Sequence, residues 1–399
     1  MLASLSFPGG LPYGLIAITV PAWLADQGVS ATEIGLVGLA QMPWSLKFLW
    51  APLLLDRLRP PLLDRRRGFI LIAQILLVLT MPLLALVPPH QVWLVFAVVL
   101  AIVFASATQD IAMDAYAVEL LDKAQYGPAS GLRTTFYRLA MLVSGGAAIA
   151  LGDQLAWPVI FALLAALMLP STLLTRLAPA LPEPEQPAEA LDLWSSLKAP
   201  IVALWRQPAS IPLLAFVFLY KFGDAVAVGM LSPFFRAGLG VSLTEIGFLQ
   251  KTVGLVATVF GAMTGGALLP RIGLYRGLFA FGLLQALTSV LYALTAYHDG
   301  LRPLMYGAIT CEQAASGMAT SALIALMMSV SEKRWAATQF AVLSSVMGIG
   351  RTLAVAIGGA LADAVGYGPL FLIAAALGIP GLILIRSLAS PPTTPALSP

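Results

Sequence analysis

The chain has 399 residues, of which 59% are hydrophobic and only 10% are charged, and its mean hydropathy is +0.90. Soluble domains carry about 25% charged residues, so this composition excludes a soluble protein and indicates an all-α, multi-pass membrane protein. One cysteine and two histidines offer no ligand set for zinc, haem or an iron-sulfur cluster, so we expect no cofactor and no metal. The net charge of +3 comes largely from arginines in short loops, which is a topology signal and not a nucleic-acid-binding surface.

Twelve apolar segments are long enough to cross a bilayer as helices, because a hydrocarbon core roughly 30 Å thick needs about 20 residues. The first six are predicted at 7–25, 34–55, 68–87, 92–117, 130–151 and 157–177. The second six are predicted at 210–235, 243–269, 274–297, 303–329, 336–361 and 367–388. The first segment contains Pro8 and Pro12 and has no basic leading region, so we expect a membrane helix and not a cleaved signal peptide.

The two sets of segments are separated by a stretch in which prolines alternate with glutamates, which predicts a solvated linker. The predicted organisation is therefore an N-terminal six-helix bundle, a cytoplasmic linker, a C-terminal six-helix bundle and a cytoplasmic tail. Their predicted limits are 1–177, 178–209, 210–390 and 391–399.

One heptapeptide occurs in both halves. Val29-Ser-Ala-Thr-Glu-Ile-Gly35 returns as Val241-Ser-Leu-Thr-Glu-Ile-Gly247, with six of seven residues identical. Because Ser-x-x-Glu is also a helix-opening capping box, shared helix-start chemistry is the alternative explanation. The matching position before the second helix of each half favours a gene duplication. Two parallel six-helix repeats are the architecture of major facilitator transporters.

The distribution of basic residues predicts the orientation. Fourteen of the 22 Lys and Arg residues lie on the same side as the loop after the second segment, and only Arg236 and Arg302 lie on the opposite side. By the positive-inside rule, both termini and the linker face the cytoplasm.

Ten charged residues fall within the apolar segments, where each costs several kcal/mol unless it faces a partner, a cavity or the bundle interior. Six cations and four acids leave a surplus of positive charge, which suits an anionic substrate. They are Lys47, Arg133, Arg138, Lys221, Lys251, Arg351, Asp110, Asp114, Asp224 and Glu312.

Asp110 and Asp114 lie one helical turn apart on the fourth helix, so they share a face. One interpretation is proton coupling, since neighbouring carboxylates away from water can take up a proton near neutral pH. The alternative is that they pair with Arg133 and Arg138 of the fifth helix and hold the cytoplasmic gate.

The remaining intramembrane charges have fewer partners in sequence. Lys221 and Asp224 are three residues apart and can satisfy each other within one turn. Lys251 and Glu312 have no partner on their own helices, so we expect a cross-helix network with the first pair or with substrate. Lys47 is isolated in its half apart from the fourth-helix acids, which favours an anion-facing role.

A second group of residues is predicted to gate the cytoplasmic side. Asp56 and Arg57 follow the second helix, and an acid there can bind arginines or helix N-termini of a neighbour. A membrane-surface anchor is the alternative for the arginines. The C-terminal copy keeps Arg271 and Arg276 but has Pro270 where the acid would stand, so we expect the N-terminal gate to be the stronger one.

Several motifs resemble the AmpG-type muropeptide permeases of the major facilitator superfamily, and the resemblance runs from the first helix to the twelfth. In the N-terminal half they are 10-GLP-12, 46-LKFLWAP-52, Asp56-Arg57, 65-RRRG-68 and 106-SATQDI-111. In the C-terminal half they are 220-YKFGDA-225, 251-KTVGL-255, 337-ATQFA-341 and Gly350-Arg351. The family's characteristic charged positions correspond to Lys47, Asp110, Asp114, Lys221, Asp224, Lys251, Glu312 and Arg351.

The resemblance implies a proton-coupled importer, not an enzyme, that brings anhydro-muropeptides from periplasm to cytoplasm by alternating access. We expect a monomer in the bacterial inner membrane whose partners are lipid, protons and a small anionic sugar-peptide. An importer of a siderophore or other anionic metabolite is the alternative. Protonation of Asp110 or of an acid in the Asp224 and Glu312 network is the expected coupling step. The expected substrate contacts are Lys47, Gln109, Lys221, Lys251, Arg351, Gln339 and the aromatic residues Tyr13, Trp44, Tyr137 and Tyr220.

Overall fold

The computed structural model describes residues 4–52, 58, 60, 62–152, 154–181, 193–207, 209–298 and 302–389. Every regular element in these ranges is helical, and eleven helical runs there are long and apolar enough to cross a membrane. We number the membrane helices α1 to α12 and treat α2 separately below. The bounds in the N-terminal half are Ser4–Asp26 (α1), Arg65–Ala85 (α3), Val92–Leu120 (α4), Lys123–Leu151 (α5) and Trp157–Leu177 (α6). Those in the C-terminal half are Ser210–Pro233 (α7), Gly254–Ile272 (α8), Leu274–Tyr297 (α9), Arg302–Val330 (α10), Lys333–Val365 (α11) and Tyr367–Leu388 (α12).

The predicted second segment, α2, is a succession of short helices and not one long helix within the described residues. It runs through Ala31–Gly38, Leu39–Gln41, Met42–Leu46 and Lys47–Leu49. Pro43 contributes to the interruption because proline has no backbone N–H to continue the helical hydrogen bonds.

The predicted capping box at the start of α2 is confirmed. The Glu33 backbone N–H donates to the Ser30 hydroxyl at 3.4 Å, and the Ser30 backbone N–H donates to the Glu33 carboxylate at 3.1 Å. The Ser30 side chain also holds the pKa of Glu33 below its usual range. In the second copy, the Glu245 backbone N–H donates to Ser242 at 3.2 Å, and Leu243–Phe248 and Leu249–Val253 lead into α8.

The chain forms two compact units. The first contains residues 1–200 together with Ala325–Ser345, and the second contains 201–324 together with 346–399. The predicted linker contains a helix, Leu193–Arg206, whose formation agrees with the helical spacing of Leu193, Leu197 and Leu204. The limits predicted for the two bundles stay a prediction.

In the first unit, glycines on α1 allow close contact with α5. A Cβ at Gly10 would overlap the backbone carbonyl of Tyr137, and one at Gly14 would overlap Ser144. The Thr19 hydroxyl of α1 also donates to the Ser144 carbonyl of α5 at 2.5 Å, which stabilises this close contact. Small residues therefore bring α1 against the helix that carries Arg133 and Tyr137.

In the second unit, α8 and α10 approach each other in the same way. A Cβ at Gly261 would overlap the carbonyl of Ala314, and one at Gly317 would overlap the carbonyl of Thr258. An aromatic core beside them includes Tyr292 of α9 and Phe371 of α12, with ring centroids 5.4 Å apart. These contacts fix the part of α10 that carries Glu312.

Candidate functional site

Three aromatic side chains from different helices meet in the first unit. The ring centroids of Tyr13 on α1 and Trp44 on α2 are 4.9 Å apart, and those of Tyr13 and Tyr137 on α5 are 6.0 Å apart. The Trp44 indole N–H donates to the Ser106 hydroxyl of α4 at 3.2 Å, which fixes its ring. All three rings are half-buried, so part of each is available to a ligand. We call Tyr13, Trp44 and Tyr137 the aromatic cluster.

A buried ion-pair cluster lies on the neighbouring faces of α2, α4 and α5. The Asp114 carboxylate accepts a hydrogen bond from Arg133 Nη2 at 2.5 Å and has the Lys47 ammonium at 3.8 Å. Arg133 Nε also donates to the Ser6 hydroxyl at 3.2 Å. Of the alternatives for Asp114, the structure shows the pair with Arg133. Lys47, for which the fourth-helix acids are the expected neighbours in its half, lies within ion-pair distance of one of them, and its anion-facing role stays a prediction.

Asp110 differs from Asp114 although it lies only one turn away. It is half-buried, and within the described part of the chain the structure gives it no hydrogen bond or ion pair. A Cβ at Gly9 would lie 3.0 Å from Asp110 Oδ1 and 3.5 Å from the Tyr137 ring. The absence of a side chain at Gly9 therefore leaves the Asp110 carboxylate beside the aromatic cluster.

Gln109 points into the protein. Its side chain is fully buried, and neither amide atom has a hydrogen-bond partner among the described residues. The adjacent helix contains two further buried atoms without a partner, Arg133 Nη1 and Thr134 Oγ1. Buried polar groups are costly to leave unpaired. The interior of the first unit therefore offers hydrogen-bond donors and acceptors that the described side chains do not use.

The second unit contains a different charged cluster, formed by α7, α9 and α10. The Lys221 ammonium is 3.1 Å from the Asp224 carboxylate and donates to the Ser316 hydroxyl at 2.9 Å. Glu312 is 1% exposed, accepts a hydrogen bond from the Tyr292 hydroxyl at 3.1 Å and lies close to Asp224. The cross-helix pairing expected for Glu312 is therefore present.

Three other predicted substrate residues, Tyr220, Gln339 and Arg351, are not members of these clusters. The buried Tyr220 hydroxyl donates to the Leu278 carbonyl at 2.9 Å. The Gln339 amide accepts from the Glu332 backbone N–H at 2.7 Å and donates to the Pro200 carbonyl at 3.3 Å. Arg351 is exposed on α11. Lys251 lies in Leu249–Val253, and its side chain is outside the described residues.

The predicted gating residues that the structure describes belong to both units. Asp56 and Arg57 lie outside the described residues. Arg133 belongs to the Asp114 ion pair, and Arg138 is half-buried next to Tyr137. Arg271 and Arg276 are exposed near the junction of α8 and α9.

The ion pair between Arg66 and Glu119 is not among the contacts predicted from the sequence. Arg66 is fully buried, and its Nε and Nη2 donate to Glu119 Oε1 at 2.9 and 2.5 Å. Beside it, Arg67 Nη1 donates to the carbonyl of Ala178, which follows α6. The signal in the sequence is an acid near the end of α4 opposite three consecutive arginines, but the predictions for those arginines are a gate with Asp56 or a membrane-surface anchor. The sequence contains no comparable signal for the contact of Tyr292 with Glu312 or for that of Ser316 with Lys221.

Comparison with known proteins gives a consistent result. A family model described as Major Facilitator Superfamily matches residues 2–341 and 213–399. The anhydromuropeptide permease of Escherichia coli (strain K12) is 36% identical over 96% of this chain and 78% of that protein. A putative transporter AmpG 4 of Rickettsia conorii is 27% identical over 96% of this chain and 94% of that protein. The crystal structure of the E. coli fucose:proton symporter FucP matches the fold with a TM-score of 0.77 at 17% identity, over 98% of both chains.

Proposed function

The chain belongs to the AmpG-type permeases of the Major Facilitator Superfamily, which are transporters and not enzymes, and on that premise we propose that it imports anhydromuropeptides driven by protons. The proposed direction is from periplasm to cytoplasm across the bacterial inner membrane, with both termini in the cytoplasm. The observation that carries the proposal is the 36% identity to the E. coli anhydromuropeptide permease along 96% of this chain.

The aromatic cluster supports a sugar-peptide substrate. Aromatic rings offer flat apolar surface with a polar edge, which is suited to the faces of sugar rings. Tyr13, Trp44 and Tyr137 supply three such surfaces on three helices. Asp110 lies against the same cluster and can accept hydrogen bonds from sugar hydroxyls or amides.

The nearby cations support an anionic substrate. Lys47 is 3.8 Å from Asp114, which is longer than a direct hydrogen bond, so its ammonium retains donors for a substrate carboxylate. Arg133 holds Asp114 more closely, at 2.5 Å, and orients that carboxylate. We propose Lys47 as the carboxylate contact and Arg133 as its positioning residue.

Proton coupling is part of the proposal because four acids lie within the membrane helices, where each must be neutralised by a cation or a proton. They are Asp110, Asp114, Asp224 and Glu312. Among the described side chains, Lys47 and Arg133 form ion pairs with Asp114, and Lys221 forms one with Asp224.

The test is transport into liposomes that contain the purified protein and an internal pH dye. An anhydromuropeptide is added outside under an inward proton gradient, with a siderophore in a parallel sample. We expect internal acidification with the muropeptide alone. Acidification with the siderophore alone would move the substrate to another anionic metabolite, and no acidification with either, from monodisperse protein, would contradict proton-coupled import of these ligands.

The substrate site has a matched pair of variants on α2. Trp44→Leu removes an indole from the aromatic cluster, whereas Trp50→Leu removes one that stacks on Phe104, with ring centroids 4.8 Å apart, outside it. Because an aromatic contact contributes about 0.5–1.5 kcal/mol, we expect Trp44→Leu to raise the half-saturating muropeptide concentration about 3- to 10-fold. An equal effect of both variants would argue against the aromatic cluster as the binding site.

A further inference from the structure

The second unit contains two neighbouring carboxyl groups, those of Asp224 and Glu312, that its described cations do not neutralise. Lys221 is the cation that the described side chains place beside both acids: its ammonium is 3.1 Å from the Asp224 carboxylate and donates at 2.9 Å to Ser316, one turn of α10 from Glu312, so the two acids lie close together. With both acids ionised, this group of three would carry a net charge of −1. Two carboxylates held together away from water do not both remain ionised.

The hydrogen bonds also indicate that a proton is missing between the two carboxyl groups. Asp224 Oδ1 and Glu312 Oε1 are buried, and neither accepts a hydrogen bond from any donor that the structure describes. Their partner oxygens are satisfied, since Asp224 Oδ2 is paired with Lys221 and Glu312 Oε2 accepts from Tyr292. A carboxylate is an acceptor only, so two carboxylates in contact need a hydrogen between them. One added proton supplies that hydrogen and brings the group of three to zero net charge.

The surroundings contain one further described donor, the buried Gln285 amide of α9, which lies close to Asp224; an amide can donate to that carboxylate but leaves the charge of the group unchanged. On α7, Lys221 is committed to Asp224 Oδ2 and Ser316, and the Tyr220 hydroxyl donates to Leu278. The Tyr292 hydroxyl of α9 donates to the other Glu312 oxygen. Cys311 of α10 is exposed. On α12, which contacts the helix bearing Asp224, the titratable residues are Tyr367 and Arg386 near its two ends.

The first unit offers a contrast. Its ion-paired acid, Asp114, has two cations within 4 Å, so that carboxylate is neutralised without a proton. Asp110 is half-buried and lies beside the aromatic cluster, where a ligand can reach it. The two units therefore differ in the charge balance of their described side chains: cations neutralise the paired acid in the first, whereas one negative charge is left over in the second.

We infer that the transported proton is held between Glu312 and Asp224, with Tyr292 orienting Glu312 and Lys221 holding Asp224, while the aromatic cluster of the first unit contacts the substrate. This inference rests on the proposed function and deepens it, because it assigns the proton and the sugar-peptide to different units of the chain. Loss of the proton leaves two adjoining carboxylates beside one ammonium, and their repulsion favours a rearrangement of α7 against α10.

The test uses Glu312→Gln, which replaces the protonated carboxyl with an amide of the same shape. The amide N–H can donate to Asp224 and its oxygen can accept from Tyr292, so folding is expected to persist. The matched control is Glu245→Gln, the same substitution in the same unit, at a helix start where Glu245 contacts the exposed Arg302 at 3.5 Å. Native protein and both variants are compared in liposomes for accumulation of muropeptide and for exchange without a proton gradient.

We expect Glu312→Gln to lose accumulation but retain exchange, since exchange requires no net proton movement, and Glu245→Gln to match the native protein in both. Accumulation by Glu312→Gln at the native level would overturn the inference. The inference would also be overturned if Asp110→Asn lost accumulation but retained exchange while Glu312→Gln did not, because that result would assign the proton to the first unit.

A second measurement does not depend on the substrate. Infrared difference spectra at neutral pH are expected to show a carboxylic-acid C=O band in native protein and Glu245→Gln that is absent in Glu312→Gln. An unchanged band in Glu312→Gln would overturn the inference. If the band behaves as expected but the native protein transports no muropeptide, the proton site stands and the proposed substrate fails.

Discussion

At the residue scale, the two acids of α4 show how one turn of helix separates two chemical roles. Asp114 is enclosed by Arg133 and Lys47, whereas Asp110 lies beside Gly9 and the Tyr137 ring without a cation in hydrogen-bond contact. Spacing along the sequence places both on one face of the helix, but it does not specify which neighbouring helix each meets. That difference follows from the packing of α1 and α5 against α4.

The contrast predicts that replacing Asp114 lowers the stability of the protein and that replacing Asp110 does not. Asp114→Asn leaves two buried cations without their carboxylate, and breaking a buried pair in this way costs roughly 3–5 kcal/mol. Asp110→Asn breaks no ion pair that the structure describes. We therefore expect a clearly lower midpoint of thermal unfolding in detergent for Asp114→Asn and a midpoint near the native value for Asp110→Asn. Similar midpoints for the two variants would contradict the assignment of the ion pair to Asp114.

Residue type alone does not predict how each aromatic side chain is used in the fold. Tyr13, Trp44, Tyr137 and Tyr220 were predicted together, yet three form the aromatic cluster and Tyr220 uses its hydroxyl on the Leu278 carbonyl. A buried tyrosine commonly finds such a backbone partner. The partner comes from a helix more than fifty residues away, so no local pattern identifies it.

At the element scale, glycine determines how closely α1 approaches α5. The apolar length of α1 is enough to predict that it spans the membrane. Its position against α5 depends on Gly10 and Gly14, which leave space for the Tyr137 carbonyl and Ser144. The same contact holds Tyr13 of α1 near Tyr137 of α5. Helix packing thus determines the geometry of the aromatic cluster.

A single methyl group tests this packing. Gly10→Ala places a Cβ against the Tyr137 carbonyl, and overpacking of this kind costs roughly 1–3 kcal/mol. Gly35→Ala is the matched control, because a Cβ at Gly35 would meet no neighbour within 4 Å. We expect a lowered unfolding midpoint and weaker muropeptide transport for Gly10→Ala and native behaviour for Gly35→Ala. Native stability and transport in Gly10→Ala would show that the close approach of α1 to α5 is not required.

The irregularity of α2 also belongs to this scale. Its hydropathy predicts a span, but the structure has four short helices between Ala31 and Leu49. Lys47 begins the last of them and lies against α4. A broken helix alters the direction of successive side chains, so helical spacing along α2 does not predict that Trp44 reaches Ser106 and Lys47 reaches Asp114.

At the scale of the whole molecule, the basic residues predict the topology. With fourteen basic residues on one side and two on the other, we expect the loop after α3 to face the periplasm and the loop after α4 to face the cytoplasm. Alkaline phosphatase fused after His90 is therefore expected to be active, and the same enzyme fused after Lys123 is expected to be inactive. The reverse pattern would invert the proposed direction of import.

The sequence alone determined that this protein is a multi-pass helical transporter of the major facilitator superfamily, because hydrophobic length, the repeated heptapeptide and the motifs are local properties of the chain. It also identified the acids and cations that membrane burial makes costly, including Lys47, Asp114, Lys221 and Glu312. Only the tertiary structure decided their partners: Asp114 between two cations, Glu312 against Asp224 and Tyr292, and Arg66 with Glu119. The physical reason is that the free energy of a buried charge depends on groups within a few ångströms, and helix packing brings those groups together from distant parts of the sequence.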